Sequence, residues 1–142
     1  REMIDTNVLG LCICTREALR YMANHDGYRH VINICSLSGH RVGPDGGLYS
    51  ATKFAVTSIT ESLRRELLNN NSGVKVSQIS PGLVRTNFHT TFYGDQDTSN
   101  NLYEQFTPLA PEDIAEAVCY LLSQPKHANV NDIMIRPSEQ PL

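Results

Sequence analysis

The chain has no apolar run that approaches the roughly 20 residues a membrane-spanning helix needs, so no membrane span is expected. Neither sign of charge dominates it. Twelve Lys and Arg stand against fifteen Asp and Glu, a net charge of −3, which leaves no basic stripe to follow a nucleic-acid backbone. The four cysteines, Cys12, Cys14, Cys35 and Cys119, are scattered through apolar segments, and they are expected to be small buried hydrophobes in a reducing compartment. Cys12 and Cys14, two apart on a helix, point in different directions. His25, His30, His40, His89 and His127 show no ligand spacing either, so no metal site is expected. One glycosylation sequon, Asn70-Asn71-Ser72, stands without other signs of secretion. No signal peptide precedes the first helical pattern, and a cytoplasmic location is expected.

What is present is ordinary for a globular protein: 40% apolar and 19% charged residues in 142, enough for one domain with a moderate core. Ile4, Val8, Leu11, Thr15, Ala18, Leu19 and Met22 recur at helical spacing, predicting a helix over 2–23 with Gly27 as its stop. Residues 30–35 then read as a strand without alternation, which suggests burial on both faces as in a parallel sheet. A second long helix is predicted over 48–69, with Ala55, Val56, Ile59, Leu63 and Leu67 on one face and an Asn-rich turn after it. Residues 74–79 form another strand, closed by Pro81-Gly82. The polar segment 87–107 is dotted with aromatics and has no clear period. Pro111-Glu112-Asp113 opens a helix with proline in its first turn and acids at its positive end, and Pro125 ends it. A last short strand is predicted over 132–136. Helices alternating with strands imply parallel strands joined by crossover helices, with no repeats and no second domain.

Three side chains in this order carry chemistry. Tyr49 and Lys53 lie four apart, one turn on the same face of the predicted helix, and Ser36 ends the preceding strand thirteen positions before the tyrosine. A free phenol with a pKa of about 10 exchanges protons poorly at neutral pH. A nearby ammonium favours the phenolate and is expected to lower that pKa, while a converging serine hydroxyl could hold a substrate oxygen. Such a site moves a proton onto or off an alcohol or ketone. Ser38 rivals Ser36 for the serine position.

The spacing alone is commonplace, but its surroundings are not. The strand Val31-Ile32-Asn33-Ile34-Cys35-Ser36, the Gly/Pro loop after it, the Tyr49/Lys53 helix, Asp5-Thr6-Asn7-Val8 upstream and Pro81-Gly82-Leu83-Val84-Arg85-Thr86 downstream occur in one order. In that order they resemble the short-chain dehydrogenase/reductase family. The resemblance implies a Rossmann-like, doubly wound α/β sheet of which this chain carries the C-terminal half. It implies Tyr49 as the catalytic acid/base, and Lys53 as the group that tunes it and bonds the nicotinamide ribose. Ser36 would orient the substrate oxygen, and Asn7 would hold a relay water behind the lysine. The loop of Pro81, Gly82, Val84 and Thr86 would face the nicotinamide. The cofactor implied is NADP, with NAD not excluded.

Within the family, Ser36-Leu37-Ser38-Gly39-His40-Arg41-Val42 and the ending Arg136-Pro137-Ser138-Glu139-Gln140 resemble the insect farnesol dehydrogenase-like proteins and their vertebrate keto-steroid-reducing relatives. That similarity implies an apolar alcohol or ketone as substrate, a substrate lid over 88–106, and a homo-oligomer packed through the two long helices. The family's glycine-rich turn and its cofactor-choosing residue are not among these residues, and Arg1 stands already inside a helical pattern. The chain is therefore expected to be part of a longer one, to fold poorly alone and to bind cofactor weakly. The alternative expectation is a truncated, non-catalytic relative that acts as a dimerisation partner.

Overall fold

The computed structural model describes residues 1–43 and 46–141. Helix α1 (Glu2–Ile4), a π-helical stretch (Asp5–Gly10) and α2 (Leu11–Ala23) follow one another without a break. Then come β1 (His30–Ile34), a 3-10 turn (Leu37–Gly39), α3 (Gly47–Asn69) and β2 (Lys75–Pro81). Helices α4 (Phe88–Tyr93), α5 (Gln96–Glu104) and α6 (Pro111–Ser123) precede the last strand, β3 (Asp132–Ile135).

The three strands form one parallel sheet in the order β1-β2-β3, with Ile34 opposite Ile79 and Pro81 opposite Ile135. Side chains alternate faces along a strand, so odd and even positions of β2 show which helix covers which side. Ile79 packs with Ala117 and Leu121 of α6, joined by Ile32, Ile114, Val118, Val130, Ile133 and Ile135. Gln78 turns the other way, its Nε2 donating to Thr57 Oγ1 of α3 at 3.3 Å. Helices on both faces of a parallel sheet make the Rossmann-like α/β architecture that the alternation of elements predicted.

Several expectations need correcting. The first helix ends at Ala23 as expected but is not uniform, because Asp5–Gly10 is wound as a π-helix. Strand β1 is not buried on both faces: Val31 and Asn33 are buried, Asn33 bonding Thr60 of α3, whereas Ile32 is half-buried and Ile34 is 46% exposed. Of the aliphatic stripe expected on α3 only Val56 is fully buried, and the other buried positions of the helix are Ser50, Thr52 and Thr60. The two threonine hydroxyls are absorbed locally: Thr52 Oγ1 donates to Tyr49 O at 2.7 Å, and Thr60 Oγ1 donates to Val56 O at 2.8 Å and accepts from Asn33 Nδ2 at 2.9 Å. Residues 87–107 are not irregular. They form α4 and α5, separated by Gly94 at φ 68°, with the Asp95 carboxylate capping α5 at 2.8 Å through the Thr98 N–H. Of the cysteines only Cys35 is buried. Cys12 and Cys14 lie on α2, which buries no residue, and Cys119 lies across α6 from its buried Ala117 and Leu121.

Candidate active site

All three strands are parallel, so their C-terminal ends open on one side, where open α/β sheets place their ligands. A cavity of about 790 Å³ sits there. Its wall includes Ser36 and Ser38 beyond β1, Tyr49 and Lys53 on the first turns of α3, Pro81 at the end of β2, and Gly82, Val84 and Thr86 beyond it. The structure thus gathers seven of the eight expected site residues around one space, together with the rival serine. Asn7 is the exception. It stands behind α3, where its Nδ2 donates to Thr52 Oγ1 at 3.1 Å, one residue before Lys53.

Ser36 is in extended conformation and caps the 3-10 turn, its Oγ accepting the Ser38 N–H at 3.1 Å. That bond uses a lone pair and leaves the Ser36 O–H free to donate. The turn lies tight against α3 because residue 39 has no side chain. A Cβ on Gly39 would come within 2.5 Å of Cys35 Sγ and 2.8 Å of the Lys53 carbonyl oxygen. The Lys53 ammonium donates to Ile34 O at 3.3 Å and stands 5.8 Å from the centroid of the Tyr49 ring.

The phenol is covered from the other side. Phe88 and Phe92, one turn apart on α4, set their ring centroids 5.5 and 5.4 Å from that of Tyr49. The electrostatics run opposite to the expectation. Burial pushes the Tyr49 phenol above its ordinary pKa, the Ser36 hydroxyl beside it pulls partly back, and Cys35 adds to the rise. Burial likewise holds the Lys53 ammonium below its usual value, against a smaller opposing effect of Cys35. Desolvation is the largest effect on both groups, so the pair rests as a protonated phenol beside a weakened ammonium.

Two features went unread in the sequence. Gln140, noted there only as part of the chain's ending, lines the cavity, and its Oε1 accepts the Leu83 N–H at 3.0 Å. The tail is secured by Arg136 Nη1 donating to Gln140 O and Arg41 Nη2 donating to Pro141 O. Its return was legible in principle, since whatever follows a parallel third strand emerges at the ligand end. Tyr103, only 5% exposed, is the second: its hydroxyl donates to Thr86 O at 2.8 Å and so braces the loop after β2. No periodicity marks that role.

A pocket at the carboxyl ends of a parallel sheet, with a tyrosine, a lysine and a serine on its wall, defines an open α/β protein with a candidate proton-transfer site. The short chain dehydrogenase family matches residues 1–97, and the chain belongs to that family. Dehydrogenase/reductase SDR family member 11 of Mus musculus is 48% identical over 99% of this chain and 55% of its own length. An uncharacterized oxidoreductase of Staphylococcus aureus is 45% identical over 96% of this chain and 54% of its own. The chain therefore spans about half the length of the curated relatives it matches. Among solved structures, the closed form of a serine dehydrogenase complexed with NADP+ superposes with a TM-score of 0.88 at 37% identity, covering 98% of this chain and 56% of that one. An alcohol dehydrogenase of Thermococcus sibiricus complexed with 5-hydroxy-NADP gives 0.78 at 29% identity, over 99% and 55%.

Proposed function

We propose that the full-length protein transfers a hydride between NADP(H) and an apolar alcohol or ketone, farnesol-like or keto-steroid, with Tyr49 as acid/base. The observation that carries this reading is the convergence of Ser36, Tyr49 and Lys53 on one cavity with the Pro81–Thr86 loop. The loop fits a nicotinamide chemically. Pro81 and Leu83 offer apolar wall, and the Val84 N–H has no hydrogen-bond partner among the described residues. Lys53, the Val84 backbone and Thr86 would hold the cofactor, with Pro81 and Gly82 shaping its bed, and the nicotinamide when bound supplies or accepts the hydride. NADP is preferred to NAD because two structural relatives carry NADP or its derivative.

The chain's own part is proton transfer. In reduction the carbonyl oxygen sits between the Ser36 O–H and the Tyr49 O–H, and the phenol gives up its proton as the oxygen gains charge. The raised pKa of the covered phenol keeps that proton in place until then. The phenolate left behind faces the Lys53 ammonium, which stabilises it. Oxidation runs the same path backwards. Asn7 grips Thr52, and its Oδ1, which bonds nothing among the described residues, is the atom that would hold a relay water. The aromatic cover of Phe88 and Phe92 suits an apolar substrate body.

The exposed apolar residues of the long helices support a homo-oligomer. Leu9 and Ile13 are 51% and 52% exposed and Phe54 is 42% exposed, a density of large apolar side chains that suits a protein surface in contact. The reading is tested with the full-length protein by following the near-ultraviolet absorbance of NADPH on addition of farnesal or a keto-steroid. Steady consumption is expected. No consumption of NADPH or NADH with any apolar ketone would contradict it.

A further inference from the structure

His89 opens the second turn-facing wall of the same cavity, on α4. Its Nδ1 lies 3.0 Å from the Tyr103 hydroxyl, and the tautomer follows from what that hydroxyl already does. The Tyr103 O–H has one proton, and its neighbours Thr86 O at 2.8 Å and Val84 O at 3.3 Å are carbonyl oxygens that can only accept it. Thr86 O is the nearest acceptor for that proton, and with the proton there the Tyr103 oxygen accepts from Thr86 N–H at 3.3 Å and from His89. In that arrangement His89 carries its hydrogen on Nδ1. The Nε2 is a bare acceptor and has no partner among the described residues. Burial lowers the His89 pKa, which keeps the ring neutral.

Resting on the proposed reduction of apolar ketones, we propose that His89 selects the substrate: its Nε2 accepts a hydrogen bond from a hydroxyl or N–H that the substrate carries away from its reacting carbon. The geometry sets the class of molecule. Phe88 stands between the two polar ends of the wall, its ring centroid 5.5 Å from that of Tyr49 and 5.1 Å from that of His89. An apolar, ring-bearing body with a carbonyl at one end and a donor at the other spans that arrangement. A bare acceptor discriminates in one direction only. It rewards a hydroxyl and gives nothing to a methoxy group or a second ketone at the same place, which would leave Nε2 unpaired.

The full-length protein is assayed with a matched pair of cyclic ketones that bear a distal hydroxyl or a distal methoxy group. The wild type is expected to favour the hydroxyl compound by roughly tenfold in kcat/KM, the worth of about one half-exposed hydrogen bond. In His89→Phe that ratio is expected to fall to near one, and in Tyr103→Phe, which frees the ring to place its hydrogen on Nε2, it is expected to shrink. A wild-type ratio near one, with both ketones turned over, overturns the role of His89 and leaves the proposed reaction standing. No turnover of either ketone overturns the reaction, and the inference with it. Independently of turnover, nitrogen NMR shifts of the His89 ring should report the Nδ1–H tautomer, and an Nε2–H ring overturns the inference.

Discussion

At the scale of single residues, Tyr49 shows how far side-chain spacing carries and where it stops. The four-residue step to Lys53 and the strand-end placement of Ser36 were legible because helix and strand periods are fixed by the backbone. The sign of the phenol's pKa shift was not, because it depends on burial of the ring, against which Phe88 and Phe92, some forty residues on in the chain, are packed. Asn33 and Thr60 make the same point inside the fold. Neither looks like a core residue, yet they are 6% and 1% exposed and bond each other at 2.9 Å. Thr60→Val keeps the shape but leaves the Asn33 Nδ2 buried without an acceptor, and it is expected to cost about 1–3 kcal/mol, more than a lost surface contact. A urea titration of the full-length protein checks this. An unchanged midpoint would mean that Asn33 finds another partner.

At the scale of elements, strongly periodic segments were readable and polar ones were not. Helix α6 announced itself through Pro111, its acidic first turn and its apolar stripe, and the structure adds the Asp113 carboxylate accepting the Ala110 N–H at 2.8 Å. Helices α4 and α5 gave no such signal. They are short, α5 buries only Ser99 and Tyr103, and an aspartate cap and a left-handed glycine delimit them rather than an apolar face. Yet α4 is the element that sets the state of the site. Replacing Phe88 and Phe92 together by alanine should admit water to the Tyr49 phenol. Because burial is the main cause of its raised pKa, the value should fall toward that of a free tyrosine, on the order of 10. The carbon NMR shift of Tyr49 Cζ, followed with pH, measures this, and an unmoved titration would show that burial by α4 is not the cause.

At the scale of the whole molecule, the chain supplies a three-stranded parallel sheet, helices on both faces and one ligand-side cavity, over about half the length of its curated relatives. The order of elements was legible because a crossover between parallel strands needs a helix and has one hand. The exposed face of α2 was not, since apolar residues at helical spacing look alike whether a sheet or another subunit covers them. Ile13→Asp with Phe54→Asp should convert the proposed oligomer of the full-length protein to monomers by light scattering. An unchanged mass would contradict an oligomer packed through these helices.

The central claim is that Tyr49 moves the proton. Tyr49→Phe in the full-length protein keeps the ring that Phe88 and Phe92 pack against and removes only the hydroxyl. Turnover of an apolar ketone with NADPH should fall by at least about a hundredfold, the usual share of general acid catalysis, while NADPH binding stays within a few-fold of wild type. Turnover at the wild-type rate with the hydroxyl gone would contradict the account.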